Sequence, residues 1–301
     1  MHSRHDLYVG TAIKGNVVET GSPVMERIAM RLVQISDLHM TPAGALLHGL
    51  APAERLRACI ADINQRAGDA ALCIATGDLA DKGETGAYEV VKACLEELTM
   101  PYCVLPGNHD HRERLVQVFA DTPTDDHGFI QYSVDMGDSV LLCLDTVEPG
   151  THAGSYCARR CEWLADELGR WADRAVYLFM HHPPFPIGLP GLDVIRLLNA
   201  TALETALRAA PQVRHIFFGH VHRPVSGSWN GIPFSALPGT LHQVALDFDM
   251  PPFIAYSHER PSYALIELGD HQTVVHLQDF VDASPRRLRN CTWSAPLAGN
   301  T

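Results

Sequence analysis

The sequence predicts an α/β fold, with helices packed outside a strand core. Two observations carry that expectation. Short apolar runs, each ending in a polar cluster, recur along the chain, and the segments between the first of them carry apolar residues at helical spacing. The composition agrees, with 46% hydrophobic and 19% charged residues and no repeat or low-complexity tract.

Residues 1–29 are polar, with glycines at 10, 15 and 21, and are expected to form a peripheral N-terminal extension; Met25 and Met30 are alternative starts. The main domain is expected over 30–301. "RLVQIS" is short and apolar, hence the first core strand. Glu54 to Ala67 places Leu56, Ile60, Ile63 and Ala67 on one helical face, and Gly68 reads as a stop. "AALCIAT" is the second strand, and Glu84 to Leu98 is helical, with Tyr88, Val91, Leu95 and Leu98 on one face. "PYCVLP" is the third strand. "GFIQYSVDMGDSVLLCLDT" reads as two strands around a Met-Gly-Asp turn. Ala158 to Leu168 is a helix with Gly169 as its stop, and "AVYLFM" and "VRHIFF" are strands. "PVSGSWNGIPFSAL" is a hairpin turning at Asn-Gly. The proline-rich stretch 247–262 reads as an arm on the core, either a substrate cap or an oligomer contact.

The net charge is −12, from 35 acids against 23 bases, which disfavours a nucleic-acid polymer or an acidic membrane surface as partner. No apolar run is long enough for a transmembrane helix, and the N-terminus lacks the apolar core of a secretory signal. The eight cysteines are scattered, several in apolar strands such as Cys73, Cys103 and Cys143. A cytoplasmic protein with reduced thiols is expected, with Cys157 and Cys161 assigned to packing.

The chemistry sits at the ends of the apolar runs. Asp37 and His39, then Asp78, then Asn108, His109 and Asp110, then His181, then His220 and His222 each follow a different strand. Ligands of α/β sheets gather beyond the carboxyl ends of strands, so these clusters are expected to meet in space. Alone, Asp37-Leu38-His39 reads as a cap or turn, Gly77-Asp78 as a turn, and His181 as a core histidine. Their joint order at strand ends points to metal. Imidazole and carboxylate suit Zn, Fe or Mn, and no cysteine is offered for a structural thiolate site. Residues two apart on an extended segment point the same way, which would aim Asp37 with His39, and His220 with His222, into one pocket.

Asp-x-His, Gly-Asp, Gly-Asn-His-Asp, a later His and Gly-His-x-His, in that order from Leu32 to Leu268, resemble the calcineurin-like metallophosphoesterase superfamily. "GDLADKGETGAY", "LPGNHD", "LDTVEPGTHAG" and "HHPP" are similar to bacterial class III cyclic-nucleotide phosphodiesterases, and "LPGTLHQV" to the related glycerophosphodiesterases. The resemblance implies a four-layer αββα sandwich with two metal ions, drawn from Fe, Mn, Zn or Co. It assigns Asp37, His39 and His222 to one metal and Asn108, His181 and His220 to the other, with Asp78 bridging. His109 would face the phosphate, oriented by Asp110, and Asn108, His109 and His242 would touch substrate. His182 is read as structural, beside a ligand. The implied activity is hydrolysis of small phosphodiesters, cyclic nucleotides first and glycerophosphodiesters as the alternative, by a metal-bridging hydroxide attacking phosphorus. A homo-oligomer is expected by the same analogy. A Ser/Thr-phosphatase-like phosphomonoesterase would carry Arg at Lys82 and Glu at Asp110; a non-catalytic scaffold would have lost ligands, and none is lost.

Overall fold

The computed structural model describes residues 28–249 and 254–284. Two β-sheets form its centre. The first has the order β13-β12-β1-β2-β3, built from β1 (Ile28–Ile35), β2 (Leu72–Thr76), β3 (Tyr102–Leu105), β12 (Ser262–Gly269) and β13 (Thr273–Asp279). The second has the order β4-β5-β6-β7-β9-β8, built from β4 (Tyr132–Asp135), β5 (Ser139–Cys143), β6 (Ala175–Met180), β7 (Val213–Phe218), β8 (Val225–Trp229) and β9 (Ile232–Ala236). Strands β1, β2 and β3 run parallel, as do β5, β6, β7 and β9, so within each sheet the carboxyl ends share one edge.

Side-chain alternation lays out the layers. On β6, Tyr177 and Phe179 join the core shared with the first sheet, whereas Val176, Leu178 and Met180 pack toward the helices. On β7, Phe217 does the first and Ile216 and Phe218 the second, and Phe217 stacks on Phe179 with centroids 4.7 Å apart. Strands buried on both faces read as continuous apolar runs, which is why "AVYLFM" lacks a polar side. Helices α1 (Pro52–Ala67), α2 (Thr85–Leu95) and α3 (Arg112–Val118) cover the first sheet. Helix α4 (Ala158–Arg170), the single turn α5 (Pro190–Asp193) and α6 (Thr201–Arg208) cover the second, completing αββα. Each large apolar side chain fully buried between layers contributes about 1.5–3 kcal/mol.

Most expected elements are present within a few residues. Gly169 does not stop α4, which runs on to Arg170; the helix ends where Trp171 leaves helical geometry. The Asn-Gly hairpin forms as expected, with both turn residues left-handed, Asn230 at φ 53° and Gly231 at 85°. Helices α3 and α6 were not anticipated, because seven or eight residues are too few to display a stripe. Strands β12 and β13 were also missed; β12 pairs with the first sheet at β1. Ile28 and Ala29, assigned to the extension, belong to β1, whose first pairing is Ile28 with Gly269; residues 1–27 lie outside the described residues. Just before the arm, β10 (Gln243–Val244) pairs antiparallel with β11 (Tyr256–Ser257) within it, while 250–253 lie outside the described residues. The seven described cysteines are free, five of them buried. Among the described residues no helix is long and apolar enough to cross a membrane.

Candidate metal centre

Every one of the polar clusters lies on a loop leaving the carboxyl end of its strand. The loops after β1 and β2 are joined by backbone bonds, Asp37 N–H to Gly77 O at 3.1 Å and His39 N–H to Asp78 O at 2.8 Å. The loops after β6 and β7 are joined by Gly219 N–H to His181 O at 3.2 Å. Two further bonds cross between groups: His220 N–H donates to Asp37 Oδ1 at 3.1 Å and His109 N–H to Asp78 Oδ1 at 2.9 Å. The strand ends are therefore fastened by their own backbones before any ligand is considered.

The expected mechanism for aiming the ligands was wrong. Asp37, His39, Asp78, His220 and His222 are not extended; all five are left-handed, with φ of 54°, 43°, 48°, 68° and 47°. The spacing of two works because two left-handed residues flank one that is not. Such backbone costs of order 1–3 kcal/mol per residue and persists only where its surroundings over-determine it, as the paired loops do. Glycine is required beside them. At Gly77 φ is 99°, and a Cβ at Gly107 would enter the space of the Asp78 carboxylate and the His181 ring.

The buried donor set converges. His39 Nε2 lies 3.1 Å from His222 Nε2 and 3.6 Å from Asp78 Oδ2, and His222 Nε2 lies 3.3 Å from Asp37 Oδ1. On the other side, His181 Nε2 lies 3.4 Å from Asp78 Oδ2 and 3.2 Å from Asn108 Oδ1, which is 2.9 Å from His220 Nδ1. Asp78 thus borders both groups. The hydrogen bonds fix the tautomers: His222 Nδ1–H donates to His242 O and His181 Nδ1–H to Thr76 O, both at 2.9 Å. In the neutral rings each Nε2 then presents a lone pair to carboxylate and amide oxygens. Asp37 Oδ2 is buried with no hydrogen-bond partner. Acceptors facing acceptors in a buried site require positive charge between them, and this is the fit of the residues to metal.

The pKa shifts express the same demand. Burial alone would raise Asp78, yet His181, His109 and His39 hold its carboxyl well below the usual range. Burial opposes a charge on His181, yet Asp78 and Asp37 raise it to about 9. Burial lowers His220 and His222, and pushes His242 down to about 2.

His109 is half-buried, and its Nδ1–H donates to Asp81 O at 2.7 Å, leaving Nε2 free. Asp110, expected to orient that ring, does not bond it. Its carboxylate accepts from Leu79 N–H, Ala80 N–H, Gly107 N–H and Tyr88 O–H, clasping the loops that carry Asp78 and Asn108. Burial, then the charge of Asp78, pushes Asp110 up to about 6 against those donors. His242 lies beside the site, its ring 4.9 Å from His39 and 4.7 Å from His222.

Of the neighbours, Asp81, His152, His48 and Tyr256 were not anticipated, while His182 was read as structural. Asp81 Oδ1 is 3.4 Å from His39 Nδ1, close enough for an ion pair, although that nitrogen makes no hydrogen bond. His152 is exposed, with Nδ1 3.0 Å from Asn108 Nδ2 and its ring 5.2 Å from His109. His182 sits 4.6 Å from the His220 ring, with its nitrogens taken by Thr146 Oγ1 and His152 O. His48 and Tyr256 stack at the rim. Asp81 was legible three residues after Asp78; His152, His48 and Tyr256 carried no spacing signal.

Two sheets in an αββα sandwich, with candidate donor side chains grouped on either side of Asp78, define the scaffold of a hydrolase with a candidate metal site. The calcineurin-like phosphoesterase family matches residues 30–224, and the chain belongs to that family, whose members use a dinuclear metal centre. A probable cyclic nucleotide phosphodiesterase of Rhodopseudomonas palustris is 39% identical over 259 residues, 85% of this chain and 94% of that protein. A probable glycerophosphodiester phosphodiesterase, GpdQ, of Arcobacter nitrofigilis is 32% identical over 239 residues, 78% of this chain and 88% of that protein. The 3′,5′-cyclic adenosine monophosphate phosphodiesterase CpdA of Escherichia coli K12 is 30% identical over 223 residues, 73% and 80%. In fold alone, a dimetal phosphatase from Danio rerio superposes with a TM-score of 0.66 at 15% identity, covering 84% of this chain and 97% of that one.

Proposed function

We propose that the chain hydrolyses small phosphodiesters, with 3′,5′- or 2′,3′-cyclic nucleotides as the substrate class. The observation that carries this reading is Asp78, buried between two ligand groups, in a chain similar to cyclic nucleotide phosphodiesterases over most of its length. Asp37, His39 and His222 would hold one ion and Asn108, His181 and His220 the other, with Asp78 common to both. When bound, two such ions supply Lewis acidity toward a phosphoryl oxygen and lower the pKa of water. Asp81 Oδ1 lies 3.4 Å from His39 Nδ1, and its carbonyl accepts from His109 Nδ1–H, so one residue borders a candidate ligand and the ring that would face substrate. His109 Nε2 is the atom placed to give a proton to the leaving alkoxide when the ring is charged. Asp110 keeps the Asp78 and Asn108 loops in register and is a positioning residue. His242 would touch substrate beside the first ligand group.

Glycerophosphodiesters are the second reading, favoured by "LPGTLHQV" and the similarity to GpdQ. Iron, manganese, zinc and cobalt all suit the donor set. The same reading includes a cytoplasmic homo-oligomer, with exposed Leu246, Phe248 and Ile254 on the arm as an apolar contact surface. The test is metal-reconstituted protein assayed on bis(p-nitrophenyl) phosphate, p-nitrophenyl phosphate, cyclic nucleotides and glycerophosphodiesters. Higher kcat/KM on cyclic nucleotides is expected; preference for the monoester, or activity on none, defeats the reading.

A further inference from the structure

The rim of the site carries a second strained histidine device that the ligand set does not use. Leu47 and Leu50 exchange backbone hydrogen bonds, each 2.9 Å, around His48-Gly49. Both corner residues are left-handed, at φ 52° and 80°. This is the geometry of a tight two-residue hairpin turn, which favours Asn or Gly at its first corner. A histidine there is strained, and the strain presents an exposed imidazole. That ring stacks on Tyr256 of β11, with centroids 3.9 Å apart and planes 25° apart.

Tyr256 is 52% exposed, so one planar side chain from the first sheet's loop and one from the arm form an open aromatic surface. It lies close to the chemistry. His242 is edge-on to His48 at 4.8 Å, and His242 in turn is 4.7 Å from the ligand His222. The arm is held in place: Arg223, next to that ligand, donates to Val244 O at 2.6 Å, and Val244 pairs with Tyr256. An aromatic pair kept for packing alone would be covered by other side chains. This one is left open.

We propose that the Tyr256–His48 pair is a stacking subsite for the planar base of a nucleotide diester, and so selects cyclic nucleotides over glycerophosphodiesters. The proposal rests on the phosphodiesterase reading above. Every nucleobase has a π-face, so stacking tolerates any base, whereas glycerol and small head-group alcohols offer no planar surface to it.

The experiment compares 3′,5′-cyclic AMP with the base-free methyl riboside 3′,5′-cyclic phosphate, using the full chain reconstituted with manganese. Tyr256→Ala is expected to raise KM for cyclic AMP about tenfold, leave kcat in place, and leave the base-free substrate unchanged. Tyr256→Phe keeps a stacking face and is expected to behave as the parent does. Equal losses on both substrates would make Tyr256 a prop for the arm, and no loss on either would make the stack idle; each result overturns the proposal. A parent protein active on neither diester removes the phosphodiesterase reading itself, and the subsite with it.

Discussion

The cradle and the rim of the site are built on different principles. The cradle, Asp37 through His222, is buried apart from half-buried Asn108 and His109; its left-handed donor residues are fixed by backbone bonds between neighbouring loops within each sheet. The rim, His48 and Tyr256 with exposed His152, is open to solvent and hangs on a two-residue strand pair and a tight turn. The cradle concentrates charge and must be exact in position to hold metal. The rim presents surface, and it reaches the donor set through His242, which His48 touches and whose carbonyl accepts from His222.

The largest effect expected of any single change tests the sharing of one carboxylate. Asp78→Ala should empty both ligand groups and abolish hydrolysis, checked by metal content per chain; two retained ions would refute the shared role. Gly107→Ala comes next, since its Cβ must displace the Asp78 carboxylate or the His181 ring. Activity and metal content should fall together, and a fully loaded, active variant would show the cradle to be looser than described. His109→Gln separates holding metal from moving a proton. Metal content should be unchanged while kcat drops by about 10²–10⁴, the usual worth of a general acid; loss of metal would reassign the residue to the cradle. Asp81→Asn should cost about 10–100-fold in metal affinity or activity, as removal of a ligand's outer partner does. A titration of metal-free protein reading unchanged affinity, with unchanged kcat, would exclude that role.

The smallest effect lies outside both regions. His215 on β7 stacks on Phe217, with Nε2 3.0 Å from Ser235 Oγ, and burial pushes its pKa down to about 4. An unfolded histidine titrates near 6.5, so the unfolded state binds the extra proton between those values. The stability tied to the neutral ring is whole above about pH 6.5 and is lost as pH falls toward 4, up to about 3 kcal/mol. His215→Gln should flatten that acid limb in urea unfolding and leave kcat/KM alone. An unaltered limb would mean the ring does not resist protonation.

Much of the cradle was legible because its chemistry is written in residue type and order. Each parallel strand delivers its cluster to one edge, so finding apolar runs ending in Asp, Asn and His was enough to foresee the meeting. The geometry behind it was not legible. Backbone at Asp37 and His222 was expected to be extended, whereas loop-to-loop bonding holds it left-handed. Asp110 read as a partner for the neighbouring ring, but its carboxylate turned inward to four donors from the backbone and Tyr88. Short helices such as α3 and α6 gave too few residues for periodicity, and the late strands β12 and β13 were passed over.

What the sequence by itself determined is the inventory: an α/β chain with seven donor side chains set at strand ends, because hydrophobic periodicity and residue chemistry are local properties. Only the tertiary structure decided that Asp81 lies beside His39 and accepts from His109, and that Tyr256 reaches His48 from 208 positions away. Those are contacts between separate loops, set by how two sheets and an arm pack, and no local pattern in the chain encodes them.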